Sequence, residues 1–431
     1  MALAPWMEGP AVVAMHARSG LVGLNVVTAA LDADARTAGT DVRFVKDAAS
    51  MIQAVDALSG RPVIAAWSTY SPDFPAVTRD LATVREATRD RGVVHLLGGV
   101  HASAEPLASL RAGFDLVAIG EGERTMVEVV SAVRDGRDPR DLAGVAHLDA
   151  AGVFVSHGPG ERAQLDSFPA FNARHGKWNA IEITRGCVYA CSFCQTPYMF
   201  KARFRHRSVA NVRAHVDEMA KAGMRYVRFL TPTSLSYGAT GTEPDLDAVE
   251  ALLASVREGI GPEGKVYFGT FPSEVRPEHV SPRALAILAR WVDNRSLVIG
   301  GQSGSDRVLT ATRRGHGVAE VERAVRLCVE AGFRPDVDFL LGLPGESRED
   351  REASMKLAEE LVAMGARIHS HAFMPLPGTP LRDDAPEAIE PETMLRMARL
   401  ESQGRAYGQW RKQLVTAQDL VRLRRAPRPV S

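Results

Sequence analysis

Cys187, Cys191 and Cys194 fall within the eleven residues "TRGCVYACSFC" (184–194), and the 431-residue chain has only one other cysteine, Cys328. Thiols crowded in this way serve a metal centre, serve a redox pair, or are a coincidence of core packing. The spacing C-x3-C-x2-C folds three thiolates around one corner. That matches three irons of a cubane cluster and leaves the fourth iron without a protein ligand. A structural zinc wants four closed ligands, and His206, in a different sequence context, is the candidate for the fourth. Cys191 and Cys194 also form a C-x-x-C redox pair, but that reading leaves Cys187 without a task. Cys328 follows Val321, Ala324 and Val325 at helical spacing and reads as a packed core thiol.

Composition narrows the setting. Lys and Arg number 52, as do Asp and Glu, so the formal net charge is zero. That argues against broad nucleic-acid or membrane-surface binding and leaves room only for local basic patches. No run approaches the ~20 apolar residues of a membrane span. The N-terminus lacks the basic region of a secretory signal, since Glu8 precedes the first Arg. Four cysteines make no disulfide framework, so a reducing, cytoplasmic setting is expected.

The elements that must position the cysteines come in two α/β series. In the first, residues 1–145, five apolar runs ("AVVAMH", "DVRFV", "PVIAAWS", "VVHLLGG", "FDLVAIGEGE") alternate with helical patterns. One of these patterns has Leu21, Leu24, Val27 and Leu31 on one face. Such alternation predicts a doubly wound parallel sheet with its ligand edge at the carboxyl ends of the strands. Those ends read His16–Gly20, Ser68–Ser71, Gly98–Ser103 and Gly120–Glu123; small residues there also suit simple turns. A Gly-, Pro- and Asp-dense stretch, 146–178, is expected as a linker, in which "VAHL" and "VFVS" read as a small hairpin. The second series, 179–385, has six strands: 179–184, 226–230, 266–271, 296–301, 336–343 and 367–375. Six β/α units predict a partial TIM-like barrel with its active site at the carboxyl ends of the strands. Residues 386–431 are expected as a helical extension with a basic end, "VRLRRAPRPVS". The three clustered cysteines lie directly after the first barrel strand.

Here the chain resembles the radical S-adenosylmethionine (radical SAM) superfamily. The C-x3-C-x-aromatic-C motif stands as "CVYACSFC", with Phe193 at the aromatic position. The resemblance implies a [4Fe–4S] cluster on Cys187, Cys191 and Cys194, with SAM chelating the open iron. It also implies one-electron cleavage of SAM to methionine and a 5′-deoxyadenosyl radical, and an electron donor such as flavodoxin or ferredoxin. "FLTPTSL" stands where the superfamily usually has a Gly-Gly-Glu-like stretch; the glycines are missing, and Thr231 and Thr233 occupy the place. "IGGQSGSDRVLTATRRGH" resembles the G-x-E/Q-S-G-S segment. It implies Gln302 at the ribose hydroxyls with Ser303 beside it, and Arg314 at the methionine carboxylate. A surface arginine is the plainer reading of Arg314. "DFLLGLPGES" resembles the segment that backs the adenine, with Asp338 a second ribose candidate, and "PLPGTPL" resembles the turn after strand six. In "KARFRHRS", Arg203, Arg205 and Arg207 read either as a solvated loop or as contacts to an anionic substrate or the SAM carboxylate.

An α/β domain with "GGVHASAEP" and "IGEGE" ahead of such a barrel resembles the cobalamin-binding-like domains of one branch of the superfamily. Many members of that branch are methyltransferases. The resemblance implies cobalamin along Ser68, Gly98, Gly99 and Gly120. Histidine-ligating cobalamin domains carry D-x-H-x-x-G, whereas this chain has "AMHARSG", with Ala14 for the Asp and Ser19 for the Gly. His16 therefore lacks the carboxylate that orients an axial ring, and cobalamin without a histidine on cobalt is expected.

Three functions remain open on these residues. One is a cobalamin-dependent radical SAM methyltransferase acting on an unactivated carbon of a small molecule or peptide, with no nucleic-acid or membrane partner. Another is a radical SAM enzyme whose first domain is a scaffold or substrate-binding module. The last is a non-catalytic cobalamin or metal sensor, for which a basic operator-binding element would be needed, and the chain has none. The methylthiotransferase branch shares the cysteine motif but needs three further cysteines upstream, and none precedes Cys187.

Overall fold

The computed structural model describes residues 9–17 and 19–425; the first eight residues, Arg18 and the end of the expected basic tail lie outside them. The chain forms two compact units, Met1–Asn179 and Ala180–Ser431.

The first unit is built on β1 (Ala11–Met15), β2 (Val42–Val45), β3 (Val63–Ser68), β4 (Val93–Gly98) and β5 (Leu116–Ala118). Adjacent strands among these five are parallel, in the order β2-β1-β3-β4-β5. Their runs are mainly apolar because both faces are covered. Val13, Ala65 and Leu97 pack into one core, while Val12, Ala14, Ile64 and Leu96 pack into another on the opposite face. The helix Leu21–Ala33 buries Leu24 and Leu31 on that second face. Each fully buried leucine contributes about 1.5–3 kcal/mol.

Two features differ from the sequence expectation. The hairpin β6 (Val145–Leu148) and β7 (Phe154–Ser156) does not stand apart: β6 pairs antiparallel with β5 and extends the sheet. Its alternation reads equally as an isolated hairpin, and the pairing depends on β5, which sequence patterning cannot reach. Two short helices, Val100–Ala104 and Pro106–Arg111, also stand between β4 and β5.

The second unit opens with β8 (Ile181–Glu182), β9 (Thr184–Arg185) and β10 (Arg205–His206), then β11 (Tyr226–Leu230) and β12 (Lys265–Tyr267). It continues with β13 (Ser296–Gln302), β14 (Arg334–Leu341), β15 (Arg367–Ala372) and β16 (Ala406–Gly408). Strands β12-β11-β8 form one parallel sheet and β13-β14-β15-β16 another. The amide of Val298 donates to Gly269 (2.8 Å) and that of Val275 to Val298 (2.8 Å), which joins the two sheets into a curved partial barrel. The seventh parallel strand, β16, lies in the C-terminal stretch expected to be helical, between helices Pro391–Ser402 and Trp410–Arg425. Two helices of this unit begin on a serine cap: Ser281 accepts from the Ala284 amide, and Ser347 forms a reciprocal box with Asp350. Among the described residues no helix is long and apolar enough to cross a membrane.

Candidate active site

The cysteine loop runs from β9 to the short helix Gln195–Met199. Gly186 opens it at φ +82°, and a Cβ there would meet the Arg203 carbonyl, so the turn admits glycine alone. The amide of Cys194 donates to the Cys191 carbonyl (3.1 Å), closing the turn between the last two cysteines. Several contacts pin the loop from outside. The Tyr189 hydroxyl donates to the Thr242 carbonyl (2.9 Å) and lies 2.8 Å from His279 Nε2, and the Arg276 guanidinium covers the Tyr189 ring at 3.5 Å. The Ser192 amide donates to the Thr312 carbonyl (3.1 Å).

All three thiols are free and share one apolar cluster with Tyr189, Phe193 and Phe204. Burial pushes the Cys187 thiol up to about 12 and raises Cys194 too. Protonated thiols in such a pocket become ligands only when a metal displaces their protons. His206 is not among them: its Nδ1 lies 2.9 Å from Thr184 Oγ1 and its Nε2 2.8 Å from the Ala239 carbonyl. Cys328 is fully buried in the helix Val318–Glu330.

The SAM candidates divide into those that converge and those that do not. Arg314 is buried, with Nη1 3.4 Å from Cys191 Sγ and Nη2 donating to the Gly300 carbonyl (2.7 Å), while its Nε has no partner. Its guanidinium also stands 5.9 Å from the Phe193 ring centre. Gln302 ends β13 at φ +73°, a conformation that costs a non-glycine residue of order 1–3 kcal/mol and is retained mainly at functional sites. A methyl group added at Gly300 would come within 2.9 Å of Arg314 Nη2, 3.1 Å of Gln302 Nε2 and 3.2 Å of Glu274 Oε2. Three polar groups from separate segments thus ring a cradle that only glycine leaves open. Thr233 lines the neighbouring loop with a buried, unpartnered hydroxyl, whereas Thr231 spends its own on the Thr233 carbonyl (3.1 Å). Ser303 is turned away, with its hydroxyl on Ser354 (3.2 Å) and on the Ser305 amide (3.2 Å). In the basic stretch Arg207 is buried on the Glu182 carbonyl (3.1 Å) and Asn211 (2.7 Å), which is a structural task, while Arg203 is exposed.

Asp338 is buried, with Oδ1 2.7 Å from His369 Nδ1, and the Glu274 carboxyl is its electrostatic neighbour. Burial and then the Asp338 charge push Glu274 up to about 8, and burial raises Asp338 to about 7. Two carboxyls this close keep one proton between them near neutrality. Glu274, His369 and His371 were missed by sequence reasoning. The available signal was the alternating "HSH" of residues 369–371 on a predicted strand and a lone acidic residue after the third strand.

In the first unit the expected edge is tightly built. Gly20 (φ +83°) and Gly99 (φ +92°) both abut Ser68, whose Oγ would lie 2.4 and 2.8 Å from a Cβ at those positions. Gly98 packs near Ala118, and the Gly120 amide donates to Ser103 Oγ (2.9 Å). His16 Nε2 is 2.9 Å from Asn25 Oδ1, and its ring meets Phe44 edge-on, so it is held by its own unit. His101, buried under Phe74 at 3.9 Å, lies 3.0 Å from Ser71 Oγ through Nδ1 and has no partner at Nε2.

The model of the radical SAM superfamily matches residues 181–358. Among curated proteins, the chain is 32% identical to a tRNA-2-methylthio-N(6)-dimethylallyladenosine synthase of Aromatoleum aromaticum, over 74% of this chain and 72% of that protein. It is 31% identical to the protein of the same name from Leptothrix cholodnii, but there it spans only 62% of the relative's length. Among solved structures, the methyltransferase TsrM of Kitasatospora setae, with tryptophan and a SAM analogue bound, matches with a TM-score of 0.67 at 19% identity. That match covers 88% of this chain and 75% of TsrM. The cobalamin-dependent enzyme OxsB matches with a TM-score of 0.64 at 16% identity, over 82% of this chain and 52% of OxsB.

Proposed function

We propose, from the premise that the chain belongs to the radical SAM superfamily, that it is a cobalamin-dependent methyltransferase acting on an unactivated carbon. Cys187, Cys191 and Cys194 would hold the [4Fe–4S] cluster, and Gln302, Thr233 and Arg314 would receive SAM around Gly300. Ser68, Gly98, Gly99 and Gly120 would line the cobalamin edge of the first unit. When bound, these groups supply one-electron cleavage of a sulfonium and a transferable methyl group.

The chain's own residues have three tasks. The apolar wall of Tyr189, Phe193 and Phe204 keeps water from the cysteine pocket. Arg314 supplies a fixed positive charge, already desolvated, whose unpartnered Nε remains for an anionic group. Glu274, whose carboxyl is pushed up to about 8 by burial and then by the Asp338 charge, keeps a proton near neutrality and suits a hydroxyl that accepts, as a ribose hydroxyl does. The observation that carries the reading is the cradle at Gly300, where Arg314, Gln302 and Glu274 converge beside a free cysteine trio.

The names of the curated relatives favour a second reading, methylthio transfer to tRNA. Against it stands the absence of any cysteine from residues 1–186. A scaffold role for the first unit is the other alternative. One experiment separates the three: anaerobic reconstitution with iron, sulfide, cobalamin and SAM, with and without tRNA carrying N(6)-dimethylallyladenosine, then an optical spectrum and product analysis. Methyl transfer predicts cluster and cobalamin bands together with S-adenosylhomocysteine. Cluster bands without cobalamin would favour the scaffold, and a methylthiolated adenosine would favour the relatives' reaction.

A further inference from the structure

Apart from Leu340, the side chains that β14 and β15 present to the barrel interior are polar, where such an interior is ordinarily filled by branched apolar residues. Asp336 pairs with Arg367 (3.0 Å), Asp338 stands in register with His369, and His371 follows one pleat further along. Asp338 is reached from across the barrel by Glu274, which places this row on the lumen.

Three atoms of the row converge. Asp338 Oδ1 is 2.7 Å from His369 Nδ1, His369 Nδ1 is 3.2 Å from His371 Nε2, and His371 Nε2 is 3.9 Å from Asp338 Oδ1. Two ligands held at about 2.1 Å from one ion, at octahedral or tetrahedral angles, lie about 3.0–3.4 Å apart. The observed triangle brackets that size. Hydrogen bonding alone serves it poorly, because His369 Nδ1 has one in-plane site, proton or lone pair, and two polar neighbours within reach. A cation between the three serves all of them.

Neighbours fix both rings. His369 stacks on Tyr407 at 4.4 Å with an 11° tilt, and Gln413, whose Oε1 accepts from the Ala372 amide (2.9 Å), donates from Nε2 toward His371 Nδ1 (3.3 Å), which turns His371 Nε2 toward Asp338 and His369. Among the described residues these are the His, Cys, Asp or Glu side chains that meet as a trio with all ligand atoms within 4.8 Å, and no cysteine belongs to the group.

We propose that Asp338, His369 and His371 bind one divalent transition-metal ion, Zn2+ or Fe2+, in a mononuclear centre separate from the cysteine site. Two imidazoles and one carboxylate select such ions over Mg2+ and Ca2+, which take oxygen. Three ligands from one side leave positions open toward the lumen for water or a substrate oxygen. Asp338 is then a metal ligand rather than a ribose contact. This inference goes beyond the proposed methyl transfer and does not depend on it.

The test uses the full chain with its iron–sulfur cluster reconstituted anaerobically, passed over a chelating resin and titrated with Co2+ as the optical probe. The expected result is one Co2+ per chain with ligand-field bands in the visible, displaced by Zn2+ and not by Mg2+. His369→Ala and His371→Ala should each weaken Co2+ by more than about 100-fold, beyond the 10–100-fold typical of losing an outer partner. His371→Gln, which keeps a polar side chain of similar length, should do the same while iron, sulfide and the thermal melt stay as in the parent. A Cys187→Ala/Cys191→Ala/Cys194→Ala variant should lose iron and keep Co2+, which separates this site from the cluster. Equal Co2+ affinity in the parent and in His371→Gln, or no stoichiometric Co2+ in a cluster-loaded parent, overturns the proposal.

Discussion

Arg314 holds the Cys191 sulfur and the Gly300 carbonyl at once, at 3.4 and 2.7 Å, from opposite amino groups of one guanidinium. The cysteine loop and the end of β13 are far apart in sequence, and this side chain ties them. A buried guanidinium with an unpartnered Nε beside a sulfur is an electropositive corner awaiting an anion.

Arg314→Ala should therefore weaken SAM binding by about 1.5–3 kcal/mol, roughly 10- to 150-fold, with the cluster in place. Arg314→Lys should recover only part of this, since an ammonium cannot span both partners. Calorimetric titration of SAM into the reconstituted protein checks both. Affinity unchanged in Arg314→Ala removes the residue from the SAM site.

Gly300→Ala tests the cradle with one methyl group. Arg314, Gln302 and Glu274 would each have to give way by a few tenths of an ångström. SAM affinity should fall while the thermal midpoint moves little, because all three crowded atoms are the far ends of side chains. A large loss of melting temperature with SAM affinity intact would make Gly300 a folding residue and nothing more.

How much of this was legible follows from the range of each signal. The cysteine trio was readable because its spacing is local, and the parallel strands because buried runs such as "AVVAM" carry their own pattern. The Asp338–His369–His371 group joins two strands 31 residues apart through their register, and a register leaves no mark in composition. Glu274 came into the site only because its loop after β12 turns back over the lumen. Strand β16 was missed because "AYG" is too short to pattern, and pairing with β15 makes it a strand. Ser303 looked like a ligand residue by its neighbours, yet its side chain points toward Ser354.

Acid should destabilise the first unit through two histidines. Burial lowers His95 and His101 to about 4, and Trp67 Nε1 donates to His95 Nδ1 (3.3 Å), which requires that nitrogen unprotonated. Because the folded values lie below the unfolded 6.5, their stabilising share is complete above pH 6.5. It is lost as pH falls toward 4, since only the unfolded chain takes up the protons. Between pH 7.5 and 5 each should cost about 2 kcal/mol. Urea titrations at both pH values should show the loss, and His95→Gln with His101→Asn should flatten most of it. An equal loss in the double variant would assign the acid sensitivity elsewhere.

The cysteines should separate cleanly by role. Replacing Cys187, Cys191 and Cys194 with Ala should abolish the iron–sulfur chromophore after anaerobic reconstitution. Cys328→Ser should leave iron and sulfide unchanged, because that thiol sits in the helix Val318–Glu330 with burial pushing it up to about 12. It should instead lower stability by about 1–3 kcal/mol, the cost of a buried hydroxyl without a partner. Stoichiometric zinc without iron in the purified parent would sink the cluster assignment.

His16 is the histidine a cobalt-ligating domain would use, and here its Nε2 lies on Asn25 while its ring rests on Phe44. Leaving that position would cost the hydrogen bond and the ring contact, with no carboxylate at residue 14 to steer the ring toward a metal. The glycine-bounded edge at Ser68 offers close backbone approach, which suits a large flat ligand held by many weak contacts rather than by one axial bond. His16→Ala should thus retain cobalamin with an unchanged cob(II)alamin electron paramagnetic resonance spectrum. A nitrogen superhyperfine splitting present in the parent and lost in His16→Ala would overturn the axial claim. Ser68→Leu should abolish cobalamin binding while leaving cluster iron intact, since the larger side chain must enter the space between Gly20 and Gly99. Cobalamin retained at full occupancy in Ser68→Leu would move the ligand away from this edge.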